Sequence, residues 1–429
     1  MVAREADAGA GSKTEGARPR AASESGGARA EGPEVETGAA ETKEGAAGMA
    51  DEYGEMDSSG LTFEAGRVEL EMGGVLEAAQ IRYNTFGELN EKKDNVLVVC
   101  HALTGNSALD TWWGDFLGPG KAFDTDKYLV VCCNVLTSCY GSTGPTSINP
   151  TTGKPYGSTF PEVTLRDAVG LQIRTIREGL GANRVAAVVG GSLGGMQALE
   201  WAALGGDFVR CFCALSCGSK HNAWQIGMSE CQRQAIYGDL NWNGGDIDPA
   251  NPPNVGLSIA RQIAMVSYRT AQAFDRKFNR HVDEKTNQFQ VQRYLAYQGT
   301  KFLSRFDANS FVALTKLMDT HDMGRGRKGG VAGALGDMNQ PALIVSIDSD
   351  VLYPPYEQME LHQLLPNSQF ESIRNDDGHD GFLLAQEEIG PILGDFLDKN
   401  AGVINFGNHA FSPSDAEERD EPSDGRSRL

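Results

Sequence analysis

Apolar and polar residues follow two patterns along the chain, and both predict β-strands. Between residues 61 and 83 they alternate, as in half-exposed antiparallel strands. The runs at 95–101 and 128–134 are apolar throughout, which is typical of central parallel strands that are covered on both faces. Further strands are predicted at 184–191, 209–215, 341–348 and 369–373.

Helical patterns lie between these strands, so the sequence predicts an α/β protein. Thr164 precedes an apolar stripe that runs from Leu165 to Leu180, and its side chain suits a helix N-cap. Helices are also expected at 356–365 and 382–397. Between residues 219 and 338 the alternation stops, and helix formers and aromatic residues dominate. We therefore predict a mostly parallel central sheet that carries a helical lid insertion.

The two ends of the chain differ in composition from its middle. Residues 1–58 contain almost no large apolar side chain, so they cannot bury enough surface to offset the entropy lost on ordering. We expect 1–58 to be a disordered low-complexity segment and 401–429 to be a polar tail. These flanks carry half of the formal net charge of −20. The predicted core spans 59–218 and 339–400, with the lid at 219–338.

Composition also narrows the functional class. No apolar run approaches the roughly 18 residues of a membrane-spanning helix, and the acidic charge argues against a nucleic-acid partner. Eight cysteines without a C-x-x-C pair favour reduced core thiols over a disulfide framework or a zinc site. We therefore expect no metal. A reducing, cytoplasmic location is expected, and an organelle stays open as an alternative.

A glycine-dense stretch at 190–194 carries the main chemical motif. Its sequence Gly-Gly-Ser-Leu-Gly fits G-x-S-x-G, in which small neighbours let a strand turn sharply into a helix with the serine at the apex. A glycine-rich chain also produces this short pattern by chance. The apolar strand before it and the helical sequence after it favour Ser192 as a nucleophile over an ordinary turn serine.

A serine nucleophile needs a histidine base and an acid that orients the histidine. In sheets that carry this motif the order along the chain is Ser, Asp or Glu, then His, each after a later strand. His379 follows the strand predicted at 369–373, whereas Asp348 ends the strand before it and Asp350 lies just past that end. Asp350 is preferred because it extends into the loop, but spacing alone leaves Asp348 open.

Two backbone N–H groups are expected to hold the oxyanion that forms when the serine attacks a carbonyl. One belongs to the residue after the nucleophile, Leu193. The other comes from the loop after an early strand, where Leu103 is the third residue of His-Ala-Leu-Thr-Gly at 101–105. The alternative for Leu103 is an ordinary turn at the end of a strand.

Longer motifs accompany these residues. They are HALTG at 101–105, WW at 112–113, GPGKAFDTD at 118–126, GSTGP at 141–145 with INPTTGKPYG at 148–157, GGSLGGMQALEW at 190–201, YQGTKFLSRFDAN at 297–309 and GHD at 378–380. With these strings the chain resembles the homoserine O-acetyltransferase family of acyltransferases with the α/β-hydrolase fold. The resemblance covers about residues 60–400, and such extended strings are far more specific than G-x-S-x-G.

The resemblance implies a ping-pong transfer of the acetyl group of acetyl-CoA to the γ-hydroxyl of L-homoserine, in methionine synthesis. Ser192 would carry the acetyl group, with His379 as general base and acid and Asp350 as its orienting acid. Leu103 and Leu193 would form the oxyanion hole.

The resemblance also implies how the amino acid is held and how the protein assembles. Arg261 would bind the carboxylate, Tyr268 would line the same site, and Asp380 would face the ammonium group. A homodimer that forms through the insertion is expected on the same basis.

Several alternatives remain open beside this resemblance. The stretch from Leu136 to Tyr140 departs from the glycine-rich run that is usual before Gly141. Succinyl-CoA as donor and serine as acceptor are open. A serine esterase would pass the acyl group to water, and a non-catalytic receptor would need to have lost a triad position. The insertion favours transfer, because transfer requires a site that excludes water while the acyl-enzyme waits.

Overall fold

The computed structural model of the chain describes residues 60–402. The segment expected at 1–58, and all but the first two residues of the tail expected at 401–429, lie outside the described residues. No helix in residues 60–402 is long and apolar enough to cross a membrane.

An eight-stranded sheet lies at the centre of the fold, and two short hairpins accompany it. The strands are β1 (Leu61–Glu69), β2 (Val75–Phe86), β3 (Val96–Cys100), β4 (Leu129–Cys133), β5 (Ile148–Asn149), β6 (Lys154–Pro155), β7 (Val185–Gly191), β8 (Val209–Leu215), β9 (Val282–Asp283), β10 (Gln288–Phe289), β11 (Ala342–Ile347) and β12 (Ser368–Ile373).

The order of the strands in the sheet is β1-β2-β4-β3-β7-β8-β11-β12. Six neighbouring strands of this sheet run parallel, namely β4, β3, β7, β8, β11 and β12. Strand β2 pairs antiparallel with both β1 and β4. This confirms the predicted α/β class and the mostly parallel sheet. Since parallel strands share a direction, β3, β7, β11 and β12 end at the same edge of the sheet, where ligand and catalytic sites of such folds lie.

Helices cover both faces of the sheet. They are α1 (Leu109–Trp112), α2 (Leu165–Arg174), α3 (Leu193–Gly205), α4 (Ala223–Tyr237), α5 (Asn254–Ser267), α6 (Ala271–Phe278), α7 (Gln290–Leu303), α8 (Ala308–Asp319), α9 (Gly330–Gly336), α10 (Pro355–Leu364), α11 (Gly381–Leu384) and α12 (Gln386–Asn400). Helices α4 to α9 and the hairpin of β9 and β10 all fall within residues 219–338, which we call the insertion.

Alternating side chains of the central strands supply two apolar cores. In β3, Val98 points to the core that contains α2 and α3, whereas Leu97 and Val99 point to the core that contains α1 and α12. This two-residue period is why a strand that is buried on both faces reads as a continuous apolar run.

Local signals for α2 are also present in the structure. Thr164 Oγ1 accepts the N–H of Asp167 at 3.1 Å, and Asp167 Oδ2 accepts the N–H of Thr164 at 2.9 Å. This reciprocal pair is a capping box, so the predicted N-cap is confirmed. The predicted stripe continues beyond α2 through a π-helical turn at Thr175–Gly179.

The helix predicted at 382–397 is two helices, because Ala385 has a non-helical backbone (φ −82°, ψ 49°) between α11 and α12. Both helices pack apolar side chains, among them Phe382 and Ile389, into the same core. Their apolar pattern is therefore continuous across the break, and the pattern alone predicted one element.

All eight cysteines lie within the described residues and are free thiols. Seven are buried, and Cys231 is exposed. The cysteines therefore act mainly as small apolar side chains in the interior.

Candidate active site

A strained turn at the end of β7 places Ser192 at the carboxyl edge of the sheet, where the parallel strands end. Ser192 has φ 57° and ψ −124°, a conformation that costs a non-glycine residue on the order of 1–3 kcal/mol. Glycines on either side make the turn possible. A Cβ on Gly190 would lie 2.2 Å from the carbonyl oxygen of Gly194, and a Cβ on Gly194 would lie 2.1 Å from that of Cys100.

Two side chains from separate loops form a hydrogen-bonded chain with Ser192. The Oγ atom of Ser192 lies 2.8 Å from Nε2 of His379, and Nδ1 of His379 lies 2.7 Å from Oδ2 of Asp350. A ring nitrogen that faces a carboxylate carries the proton, so Nε2 is left to accept the serine hydroxyl proton. The structure thus brings Ser192, His379 and Asp350 into one hydrogen-bonded chain.

The backbone turns Asp350 toward the histidine. Its other oxygen, Oδ1, accepts the N–H groups of Leu352 at 2.9 Å and Tyr353 at 2.8 Å. These bonds fix the direction in which the carboxylate points. Asp348, the alternative acid, is exposed and accepts the N–H of Asn375 at 3.0 Å instead.

Aromatic rings enclose the histidine. The ring centroids of Tyr353, Phe382 and Tyr268 lie 5.0, 5.3 and 5.9 Å from that of His379. His379 is 3% exposed and Ser192 is 6% exposed. Little water reaches the reacting atoms, and electrostatic interactions are stronger in such a site than in water.

The loop that contains Leu103 is held at its start by His101. Nδ1 of His101 donates to the carbonyl oxygen of Ala102 at 2.8 Å, and Nε2 accepts the N–H of Val135 at 3.1 Å. Burial lowers the pKa of His101 to about 4, so the ring stays neutral and keeps both bonds at neutral pH. In the sequence His101 stands out only as the first residue of the motif at 101–105, and no spacing rule predicted this function.

The other expected donor, Leu193, is the first residue of α3 and is buried. The N-terminus of a helix concentrates partial positive charge from its unpaired N–H groups, which favours a developing anion. Ser192 and this electrostatic feature therefore arise from the same turn.

Arg261 on α5 is buried beside the loop of Leu103. Its Nη1 atom lies 3.5 Å from Oγ1 of Thr104, and its guanidinium carbon lies 5.1 Å from the ring centroid of Phe302. Tyr268 directly follows the last residue of the same helix, and its ring centroid lies 5.9 Å from that of His379. Its burial raises the pKa of the phenol to about 12, so the hydroxyl keeps its proton.

Asp380 lies beside the histidine and forms an ion pair that the sequence did not predict. Its Oδ2 atom is 2.7 Å from Nε of Arg269, whose Nη1 also donates to Oδ1 of Asp377 at 3.0 Å. Burial raises the pKa of Asp380, and Arg269 acts in the opposite direction. Arg269 directly follows Tyr268, but nothing in its spacing singles it out among other arginines of the insertion.

No group of three or more His, Cys, Asp and Glu residues in the described range could hold a metal ion.

A mostly parallel sheet with a strained serine turn and a Ser-His-Asp chain at its carboxyl edge defines a protein of the α/β-hydrolase fold. In agreement, a family model described as "alpha/beta hydrolase fold" matches residues 95–386. The chain is also similar to solved structures of this fold. An esterase superposes with a TM-score of 0.72 at 27% identity, over 79% of this chain and 99% of the esterase.

Sequence relatives narrow the class. The chain is 48% identical to the homoserine O-acetyltransferase of Trichormus variabilis over 74% of this chain and 87% of the relative. The crystal structure of the homoserine O-acetyltransferase of Staphylococcus aureus superposes with a TM-score of 0.65 at 30% identity, over 79% of this chain and 95% of that one. This chain belongs to the homoserine O-acetyltransferase family, a family of acyltransferases, which confirms the predicted membership.

Proposed function

We propose that the protein transfers the acetyl group of acetyl-CoA to the γ-hydroxyl of L-homoserine through an acetyl-Ser192 intermediate. The observation that carries the proposal is the hydrogen-bonded chain from Ser192 through His379 to Asp350, in a member of this acyltransferase family. Acetyl-CoA acts as a co-substrate and not as a bound cofactor.

In the first half-reaction Ser192 Oγ attacks the thioester carbonyl and its proton passes to Nε2 of His379. The oxyanion is held by the N–H groups of Leu103 and Leu193. When the intermediate collapses, the carbon–sulfur bond breaks and CoA leaves as a thiol with the proton from His379. The carboxylate of Asp350 stabilises the imidazolium between these steps.

In the second half-reaction the γ-hydroxyl of L-homoserine takes the place of the departed thiol. Its proton passes to Nε2 of His379 as its oxygen attacks the acetyl carbonyl. The bond between the acetyl carbon and Ser192 Oγ then breaks, and His379 returns the proton to Oγ. The product is O-acetyl-L-homoserine, and the free serine is restored.

The acceptor is selected by charge in this proposal. Arg261 binds the carboxylate, because a guanidinium offers two parallel donors to a carboxylate. Tyr268 lines the site as a neutral phenol. Asp380 faces the ammonium group with Oδ1, because its Oδ2 already pairs with Arg269. The position of Asp380 is thus fixed by an ion pair before substrate arrives.

The pathway, the compartment and the oligomeric state are also proposed from the family resemblance. The product would be an intermediate of methionine synthesis, and the enzyme would be a cytoplasmic homodimer. Gel filtration of the purified chain tests the dimer.

A screen of donors against acceptors tests the proposed reaction. Acetyl-CoA and succinyl-CoA are each combined with L-homoserine, L-serine and water, and release of free CoA is followed. We expect rapid release only with acetyl-CoA and L-homoserine, with parallel lines in double-reciprocal plots. Preference for succinyl-CoA or L-serine would contradict the proposed substrates while leaving acyl transfer intact.

Hydrolysis is the second candidate, because an esterase is among the similar structures. The same half-reaction would then end with attack by water. Rapid CoA release from acetyl-CoA without an acceptor would favour this esterase activity. The enclosed histidine favours transfer, since a site with little water protects the acyl-enzyme from hydrolysis.

A further inference from the structure

Arg305 is a fully buried cation that the proposed reaction does not use. It lies between α7 and α8 in the insertion and is 1% exposed. Removing a charged guanidinium from water is costly unless polar groups replace the lost hydration. The partners of this side chain therefore indicate what its burial achieves.

Those partners belong to two loops outside the insertion, which follow β3 and β4 at the carboxyl edge of the sheet. Nη1 of Arg305 donates to the carbonyl oxygen of Thr104 at 2.8 Å and to the hydroxyl oxygen of Tyr140 at 3.0 Å. The guanidinium carbon lies 4.9 Å from the ring centroid of Phe302, a cation–π distance. One side chain of the insertion thus joins the loop after β3 to the loop after β4.

The contact to Thr104 lies directly beside the proposed oxyanion donor. The Thr104 carbonyl that Arg305 holds lies in the same planar peptide unit as the Gly105 N–H, and the Leu103 N–H lies in the same planar unit as the Ala102 carbonyl. The turn is tight, because the N–H of Gly105 donates to the carbonyl oxygen of Ala102 at 2.9 Å. Few conformations remain open to the Leu103 N–H while Arg305 is in place.

Tyr140 is itself fixed from the core side. Its carbonyl oxygen accepts a hydrogen bond from Nδ2 of Asn134 at 2.8 Å. Oδ1 of Asn134 in turn accepts the N–H of Ser107 at 2.8 Å. Residues 101–107 are therefore held by His101 at the start, by Arg305 in the middle and by Asn134 at the end. Of these three contacts, the one from Arg305 comes from the insertion, and Arg261 of the insertion also lies near this loop, with its Nη1 atom 3.5 Å from Oγ1 of Thr104.

We infer that Arg305 is a positioning residue that fixes the oxyanion-hole loop, with Tyr140 as its second anchor. The inference rests on the proposed acyl transfer through Ser192 and Leu103, and it is independent of which acceptor is used. Without the guanidinium, the Leu103 N–H would spend less time aligned with the oxyanion. Formation of the acyl-enzyme would slow, and acceptor affinity would not change.

The competing function for Arg305 is direct binding of the acceptor carboxylate. Arg261 and Arg305 lie 5.1 and 4.9 Å from the same Phe302 ring, so the two cations are neighbours. The two functions differ in what they change. A carboxylate ligand would alter the KM for L-homoserine, whereas a positioning residue would alter the acylation rate with any acetyl donor.

The test measures the acylation step alone with p-nitrophenyl acetate, a neutral donor that needs no acceptor. Arg305→Met removes the charge and keeps most of the side-chain volume. Tyr140→Phe removes only the hydroxyl group that Arg305 contacts and should leave the fold intact. Arg233→Met is the matched control, because Arg233 is also a buried arginine of the insertion and pairs with Asp319 at 2.9 Å.

We expect Arg305→Met to slow the burst of p-nitrophenolate per reactive serine by about 10- to 100-fold, below the loss for a missing oxyanion donor. Tyr140→Phe should slow it by a smaller factor, and Arg233→Met should leave it unchanged. Active-site titration supplies the number of reactive serines, so a variant that merely unfolds in part gives fewer sites with the normal rate.

Two results would overturn the inference. One is a normal burst rate per site in both Arg305→Met and Tyr140→Phe. The other is a raised KM for L-homoserine in Arg305→Met with normal acylation, which would assign Arg305 to the substrate. If the proposed acceptor is wrong, the parent chain fails to acetylate L-homoserine but keeps its ester burst, and the comparison of variants still decides the function of Arg305.

Discussion

At the scale of single residues, the chain order of Ser, Asp and His predicted the triad candidates, but order could not choose between two acids two positions apart. The choice depends on which way a carboxylate turns after β11. In the structure the N–H groups of Leu352 and Tyr353 draw Asp350 inward, whereas Asp348 faces the Asn375 backbone. A spacing pattern does not contain this information, because it arises from the path of the loop.

Replacement of each acid tests the assignment. Asp350→Asn should lower kcat by about 10⁴-fold, because an amide favours the wrong tautomer of His379 and cannot stabilise the imidazolium. Asp348→Asn is the matched control and should retain activity within a factor of a few. The measurement is steady-state CoA release with both substrates saturating. Equal losses in the two variants would contradict the assignment of Asp350.

At the scale of elements, the apolar patterns predicted the central strands well, because strands buried on both faces leave a continuous signal. The patterns did not predict how the insertion contacts the core. Contacts that span more than a hundred residues, such as Arg305 with Thr104, have no local sequence signal. The helix α4 provides another example, since its first turn holds the loop that contains the catalytic acid candidate.

Gln225 in α4 carries much of that contact. Its Nε2 atom donates to the carbonyl oxygen of Leu352 at 2.8 Å and lies 3.0 Å from Oε1 of the buried Glu357. Gln225→Leu should lower the free energy of unfolding by about 1–3 kcal/mol, because it leaves buried acceptors unpaired. Activity per folded molecule should fall as the loop of Asp350 loosens.

Urea denaturation followed by fluorescence measures the change, with a CoA-release assay on the same samples. Gln234→Leu is the matched control, since Gln234 is an exposed glutamine on the same helix, and its effect should stay within about 0.5 kcal/mol. If both substitutions had the same effect, α4 would not hold the acid loop through Gln225.

At the scale of the whole molecule, two fully buried histidines make stability depend on pH. Burial lowers the pKa values of His101 and His321 to about 4, from an ordinary value near 6.5. Between these values the unfolded chain binds more protons than the folded chain, so folding becomes less favourable as the pH falls. The contribution is fully present above about pH 6.5 and is lost progressively toward pH 4.

His321 allows this to be tested away from the catalytic chain, because its Nε2 contacts the carbonyl oxygen of Gly218 at 2.9 Å. His321→Gln should reduce the fall in unfolding free energy between pH 6.5 and 4.5, measured by urea titrations at each pH. His281→Gln, at an exposed position, should leave the slope of the parent chain unchanged. An unchanged slope in His321→Gln would show that this histidine is not a source of the acid sensitivity.

Ser192 is proposed to carry the acetyl group between two substrates, and intact-mass spectrometry tests this function most directly. After mixing with acetyl-CoA alone, the chain should gain the mass of one acetyl group, located on Ser192 by peptide mapping. Addition of L-homoserine should remove that mass and yield O-acetyl-L-homoserine, and Ser192→Ala should do neither. Full transfer activity in Ser192→Ala, or rapid transfer with no acetylated protein at any time, would contradict the account.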